Sequence, residues 1–333
     1  MPFPKIQPPL LNSSNPWATT LRDLQKLFDC ESTGAVTTRT SLLHGFEHDD
    51  KLHQYTFFDT RDPIARPDQP DGQVPTEFGG SLNTLGYSPL PLSTYLAVIP
   101  KIIADSSLES SRRQSKPFII SVTGSAEAVL VCYKHITAVQ ETIANPLCME
   151  INLSCPNIPD KPPPAYSGSS LAEYFHALSE ASSWSNRRVA IGIKSPPYTY
   201  HDQFKTLIDA LLEASQPPAS CPIDFITATN TLGSSLILSD NEGTPAINSV
   251  SGAGIGGMAG SPLHPLALGN VKTIRSMLDQ QVELNAISII GVGGVSDRAG
   301  FDRMRVVGAE VVGVGTALGR EGVEVFDKIL RRK

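Results

Sequence analysis

Along the chain, short apolar runs recur between clusters of Gly, Pro, Asn and Asp, and eight of them have the length and β-branched content of strands. In order they are GAVTTRT from Gly34, GGSLNTLG from Gly79, PFIISVTG from Pro117 and MEINLSC from Met149. VAIGIKS from Val189, DFITATN from Asp224, AISIIGVGG from Ala286 and AEVVGVGT from Ala309 complete the series. Several are nearly continuous Val/Ile runs, as in parallel strands covered on both faces. Between them the apolar spacing becomes helical, in PLSTYLAVIPKIIADS, SAEAVLVCYKHITAVQ, SSLAEYFHALSEASSW, HDQFKTLIDALLEAS and DRAGFDRMRVVG. Eight strands alternating with helices over about 300 residues predict an α/β fold of the (β/α)₈ TIM-barrel type. A doubly wound sheet competes, but no GxGxxG opens a helix after the first strand.

Two stretches break the alternation. Residues 44–78 are rich in Pro, Asp and charge, and residues 232–265 are rich in Gly and Ser. Both predict long inserted loops at the C-terminal face of the barrel, where long connections are usually functional covers. The residues before Gly34 read as an N-terminal extension, and residues 1–333 as a single domain.

Composition narrows the function classes. With 40% hydrophobic and 18% charged residues the chain can bury a substantial core. A formal charge of −6 without a long basic run argues against nucleic-acid binding. Cys30, Cys132, Cys148, Cys155 and Cys221 form no CxxC pair, so no disulfide framework is expected and a reducing, cytoplasmic setting is. The chain's start lacks the apolar stretch of a signal peptide, and no window approaches the roughly 20 apolar residues of a membrane span. The seven histidines show no ligand spacing, and no metal is expected.

In a (β/α)₈ barrel the chemistry sits at the C-terminal strand ends. Those ends carry Arg39, Asn83, Asn152 with Cys155 and Asn157, Lys194, Asn230 with Thr231, Gly293–Gly294 and Gly315–Thr316. Amides, cations and a thiol on one rim suit a small, planar, anionic ligand with many carbonyl and N–H groups. GVGG and GVGT close the last two strands, the usual phosphate site of this fold, and with GIGGMAG point to a phosphate-bearing cofactor. Lys194 ends an apolar run, where an unpaired ammonium is costly; either it serves a ligand or it snorkels out. Cys132 and Cys148 read as small core residues. Cys155 lies in a strand-end loop, where nearby cations are expected to lower its pKa and make it a base or nucleophile.

The ordered motifs INLSCPNIPDKPPPAY, GIKSPPY, TNTLGSS, GIGGMAG with SPLHPLALGNV, IIGVGGV and VGVGTAL resemble those of dihydroorotate dehydrogenases, in the soluble, fumarate-linked class (class 1A-like). PPLLNSSNPWATTLRDLQKL and GGSLNTLGYSPL extend the similarity over nearly the whole chain. The resemblance implies an FMN-dependent oxidoreductase of pyrimidine biosynthesis that converts dihydroorotate to orotate, uses a soluble acceptor such as fumarate, and forms a homodimer. By the same resemblance Cys155 is the base that takes the C5 proton while hydride leaves C6. Arg39, Asn83, Asn152, Asn157, Asn230 and Thr231 surround the substrate. Lys194 lies near the flavin pyrimidine ring, Ser13 and Ser14 lie under the flavin, and Gly256, Gly257, Gly293, Gly294, Gly315 and Thr316 hold its phosphate. The membrane-attached class uses serine where this chain has Cys155.

This chain departs from the family pattern at four places. Arg39 stands where the family has lysine, and Asn15 where it has glycine, which predicts crowding or a positive φ. NTLGSS replaces NSxGNG, and His264 replaces a common lysine. The departures keep open a diverged FMN oxidoreductase for another dihydropyrimidine or an enoate, and a catalytically weak FMN-binding paralogue.

Overall fold

The computed structural model describes residues 3–63, 65, 79–155, 157, 163–181, 189–216, 220–239 and 243–331. Much of the excursion expected over residues 44–78, namely 64 and 66–78, therefore lies outside the described residues. The strands are β1 (Leu10–Asn12), β2 (Val36–Thr37), β3 (Tyr55–Phe58), β4 (Gly80–Asn83), β5 (Phe118–Val122) and β6 (Leu147–Asn152). They continue as β7 (Ala190–Ser195), β8 (Phe225–Ala228), β9 (Leu232–Ser235), β10 (Gly256–Gly260), β11 (Ser288–Val292) and β12 (Val311–Val314). Eight of them form a parallel sheet in the order β1-β12-β11-β8-β7-β6-β5-β2, and a parallel bridge between Leu11 and Ala35 joins its two edges. This is the expected (β/α)₈ barrel.

The five expected helices appear at Leu92–Asp105, Ala126–Gln140, Gly168–Ala181, His201–Ala214 and Arg298–Val306, and His264–Asp279 adds another before β11. None of the described helices is long and apolar enough to cross a membrane.

One strand assignment changes. The segment from Gly79 is not the second barrel strand: β4 lies in a separate antiparallel sheet of order β3-β4-β10-β9. The missing barrel strand is β1, supplied by the supposed extension. Three residues are too few to show a period, and a side chain completes the strand's pairing. Asn12 Nδ2 donates to Thr37 O at 2.6 Å, and Asn12 Oδ1 accepts from Thr37 N at 3.0 Å. The small sheet joins β3 of the first inserted stretch and β9 and β10 of the second to β4, which lies between them in sequence. Gly80 is required there because a Cβ would meet the Phe58 ring at 2.3 Å.

Inside the barrel, residues alternate in and out. The inward set Ile6, Leu11, Ala35, Ile119, Cys148, Ala190, Phe225, Ile290 and Val311 forms an apolar plug, with Phe3 against Phe225 at a centroid distance of 4.5 Å. Phe225 fits only because its neighbour is Gly192, where a Cβ would lie 2.3 Å from the ring. Two residues further along the strands the interior turns polar at Ser121, Glu150 and Thr227. Apolar burial thus closes one end of the barrel and leaves the C-terminal end for chemistry. Truncating the plug should be costly: Phe225→Ala is expected to lower the unfolding free energy by about 3–5 kcal/mol. Denaturant titration checks this, and a loss below about 1 kcal/mol would show that the interior is not packed around that ring.

Candidate active site

A solvent-open cleft enclosing about 1010 Å³ of space lies at the C-terminal strand ends. Of the residues singled out from sequence, Ser13, Ser14, Arg39, Asn83, Asn152, Cys155, Asn157, Lys194, Asn230, Thr231, Gly293, Gly294, Gly315 and Thr316 all line it. Gly256 and Gly257 do not. They belong to β10, and a Cβ on Gly256 would lie 2.2 Å from Asn83 O, so that glycine lets β10 press against the Asn83 strand. Ala259 and Gly260, at the end of β10, reach the cleft instead.

The floor of the site is a hydrogen-bonded layer above the apolar plug. Glu150 is 1% exposed, and its carboxylate oxygens accept from Ser121 Oγ at 2.8 Å and Thr227 Oγ1 at 2.6 Å. Thr40 links Ser121 to Ser14, each hydroxyl pair at 2.9 Å, and accepts from Asn152 Nδ2 at 3.2 Å. Asn152 Oδ1 accepts from Ser154 Oγ at 3.1 Å and Asn230 Nδ2 at 3.2 Å. These bonds fix two strand-end amides, Asn152 and Asn230, before any ligand arrives.

Asn152 on β6 pairs in register with Lys194 on β7, so the two emerge side by side. Lys194 is 4% exposed, and its ammonium makes one long hydrogen bond, 3.5 Å to Ser14 O. Burial pushes its pKa below the ordinary lysine range, while the Glu150 and Cys155 charges pull it back. The snorkelling alternative therefore does not hold.

Cys155 is half-buried in the cleft wall. Its thiol is pushed up by burial, against the expected lowering; the Asn157 N–H, the Tyr87 hydroxyl and Lys194 offset this only in part. Asn157 is pinned by its own amide, which donates to Asn83 Oδ1 at 2.9 Å and Leu85 O at 2.8 Å. The Arg39 guanidinium is buried, with its pKa lowered by desolvation, and donates to Gly86 O at 3.4 Å. Asn15 adopts an extended backbone at φ −159° and caps the turn at Pro16, accepting from Trp17 N at 2.9 Å. The positive φ considered for it does not arise.

At the far end Gly293 and Gly294 take φ of +143° and +69°, and a Cβ on Gly294 would lie 2.6 Å from Gly260 O. A smaller hollow there is lined by Gly294, Ser261, Ser296, Gly315, Thr316 and Arg320. His264 supports this turn: its Nδ1 meets Gly293 O at 2.7 Å and its Nε2 accepts from Arg303 Nε at 3.1 Å, which places the ring proton on Nδ1. Sequence reasoning missed Glu150, Tyr87 and Thr229. Thr229 is 1% exposed, lines the cleft, and its hydroxyl has no hydrogen-bond partner among the described residues. The inward alternation of Glu150 and Asn152 in MEINLS was the available signal for the first.

The profile of the dihydroorotate dehydrogenase family matches residues 62–332. Dihydroorotate dehydrogenase A (fumarate) of Lactococcus lactis subsp. cremoris is 26% identical over 331 residues, 98% of this chain and 89% of its own length. A putative dihydroorotate dehydrogenase A (fumarate) of Streptococcus agalactiae serotype V is 30% identical over 272 residues, 80% of this chain and 76% of its own. Among solved structures, a ligand-free type DHODH from Eimeria tenella superposes with a TM-score of 0.66 over 96% of this chain and 81% of its own. At 17% identity this last likeness bears on the fold alone.

The lowered pKa of Lys194 makes stability depend on pH. Between that lowered value and the ordinary value of about 10.4, the unfolded chain holds a proton that the folded chain does not. Stability of the ligand-free protein should therefore gain from this residue as pH rises through that window. Lys194→Met should flatten that gain and raise stability at pH 7, as read by urea unfolding at pH 7 and 9.5; equal slopes in both proteins would contradict it.

Proposed function

The chain belongs to the dihydroorotate dehydrogenase family, and we propose that it is an FMN-dependent enzyme that oxidises dihydroorotate to orotate with a soluble acceptor such as fumarate. The observation that carries this reading is a buried ammonium and a half-buried thiol, Lys194 and Cys155, in one cleft walled by pre-positioned asparagine amides.

The cleft fits FMN in three respects. Lys194 is a buried cation short of acceptors, Thr229 offers a buried hydroxyl, and the Gly293–Gly294 and Gly315–Thr316 turns let backbone groups approach an anion closely. Ser13, Ser14, Lys194, Gly293, Gly294, Gly315 and Thr316 would hold it. FMN, when bound, supplies the two-electron acceptor. Gly256 and Gly257 lie outside the cleft lining and would not be among the residues that hold it; Gly256 lets β10 pack against Asn83.

The remaining chemistry belongs to side chains. Asn83, Asn152, Asn157, Asn230 and Thr231 offer donors and acceptors to the pyrimidine ring, and Arg39 meets the substrate's carboxylate charge. Oxidation removes a hydride from C6 and a proton from C5. Cys155 Sγ, as thiolate, takes the C5 proton; the resulting thiol must lose it to solvent before the next turnover. Because burial holds this thiol protonated near neutral pH, turnover should rise with pH past the ordinary thiol pKa of about 8.5.

The test is an anaerobic absorbance titration of the flavin-loaded protein with dihydroorotate, in which the flavin band should bleach stoichiometrically. Cys155→Ala should keep its flavin and bleach about 10²–10⁴-fold more slowly. Bleaching at the parent rate would remove Cys155 from the mechanism. A second reading, a different dihydropyrimidine or enoate substrate, is favoured by Arg39 in place of lysine and by the other departures from the family pattern, and gains ground if dihydroorotate leaves the flavin oxidised.

A further inference from the structure

The turn after β11 has two sides. On one, Gly293 and Gly294 line the cleft, and Gly294 also lines the smaller hollow beyond it. On the other, the turn packs flush on the start of the helix His264–Asp279. A Cβ on Gly293 would lie 2.4 Å from Ala267 Cβ, and one on Gly294 would lie 2.8 Å from His264 Cβ.

Two hydrogen bonds decide which way the turn points. His264, 8% exposed, is outside the lining of both the cleft and the hollow, and it grips the Gly293 carbonyl from behind, Nδ1 to O at 2.7 Å. Arg303 Nε donates to the other ring nitrogen at 3.1 Å. A guanidinium only donates, so Nε2 carries no hydrogen and the ring proton lies on Nδ1, toward the carbonyl. The acids on the Arg303 side are engaged elsewhere, Asp297 by the Gly300 N–H at 2.7 Å and Asp302 by Arg298 Nε at 2.9 Å. The peptide joining Gly293 to Gly294 is trans and planar, so its C=O and N–H point in opposite directions. A carbonyl drawn to His264 therefore turns the Gly294 N–H away from the helix, toward the lined side of the turn. No acceptor among the described residues meets that N–H. The neighbouring turn is set differently: Thr316 shares its hydroxyl with Ser81 at 2.8 Å, and Arg320 is the charged residue on the hollow's wall.

We infer that His264 is a positioning residue for the flavin phosphate: by holding the Gly293 carbonyl it aims the Gly294 N–H at the anion, and Arg303 keeps the imidazole in the tautomer that can do so. This rests on the FMN reading of the cleft. His264 contributes aim rather than contact, so its loss should be felt by a ligand that carries the phosphate and not by the flavin ring. The experiment is a fluorescence titration of the ligand-free full chain with FMN and with riboflavin, in the parent and three variants. His264→Leu keeps the bulk and removes the donor; affinity for FMN should fall about tenfold, with that for riboflavin unchanged. His264→Asn puts an amide N–H where Nδ1 stands and should restore most of the FMN affinity. Arg303→Met keeps the ring but frees its tautomer, and should weaken FMN alone, by less than His264→Leu does. An equal loss for both flavins in His264→Leu would mean ordinary structural support, and an unchanged FMN affinity would mean that the turn needs no aiming; either overturns the inference. If His264→Leu does not fold, Arg303→Met decides, and FMN affinity at the parent's level there overturns it. A parent that binds both flavins alike fails the FMN reading itself, and the inference falls with it.

Discussion

Keeping an ammonium buried at the mouth of a barrel is the constraint on which the rest of this structure depends. Lys194 leaves an apolar strand into a site where its one hydrogen bond among the described residues is 3.5 Å long. Such a charge is tolerated only where compensating charge and dipoles surround it. Glu150 supplies the opposite charge within the barrel, but its oxygens are taken by Ser121 and Thr227, so it acts on Lys194 through the field rather than by contact. The lysine stays under-coordinated on its cleft side, and the pocket is left complementary to a ligand that brings electron density to that point.

The same burial acts oppositely on the thiol. It disfavours the charged form of each, lowering the pKa of the ammonium and raising that of Cys155, while the attraction between the two opposite charges favours both being charged together. Ionisation of the thiol is therefore tied to the charge state of the whole cleft. The hydrogen-bonded layer of Ser14, Thr40, Asn152, Ser154 and Asn230 keeps the geometry fixed while those charges change. Rigid neutral dipoles around two titratable groups suit a site that must handle a hydride and a proton in one turnover.

Most of the barrel was legible in the chain because β5 to β8, β11 and β12 are near-continuous apolar runs that only a doubly covered parallel sheet requires. β1 was not, since three residues carry no period and Asn12 sets their register through its side chain. GGSLN was placed in the wrong sheet because strand alternation does not distinguish an antiparallel partner from a parallel one. The rim residues Asn152, Cys155, Lys194 and Asn230 could be read because the fold puts strand ends at the site. GIGGMAG misled in part: a glycine run can cradle a phosphate or let two strands approach closely, and Gly256 does the second. Tyr87 and Thr229 gave no signal, because what brings them into the cleft is the fold and not a local sequence pattern.

A buried cation and glycine turns at opposite ends of one cleft suit a flavin that carries a phosphate. The most direct measurement is a fluorescence titration of the ligand-free protein with FMN and, in parallel, with riboflavin, which has the same ring and no phosphate. Quenching by FMN should be saturable and one-to-one, with affinity for riboflavin at least about a hundredfold weaker, the scale of a charge-assisted anion contact. Equal affinity for the two, or no quenching by either, would contradict it.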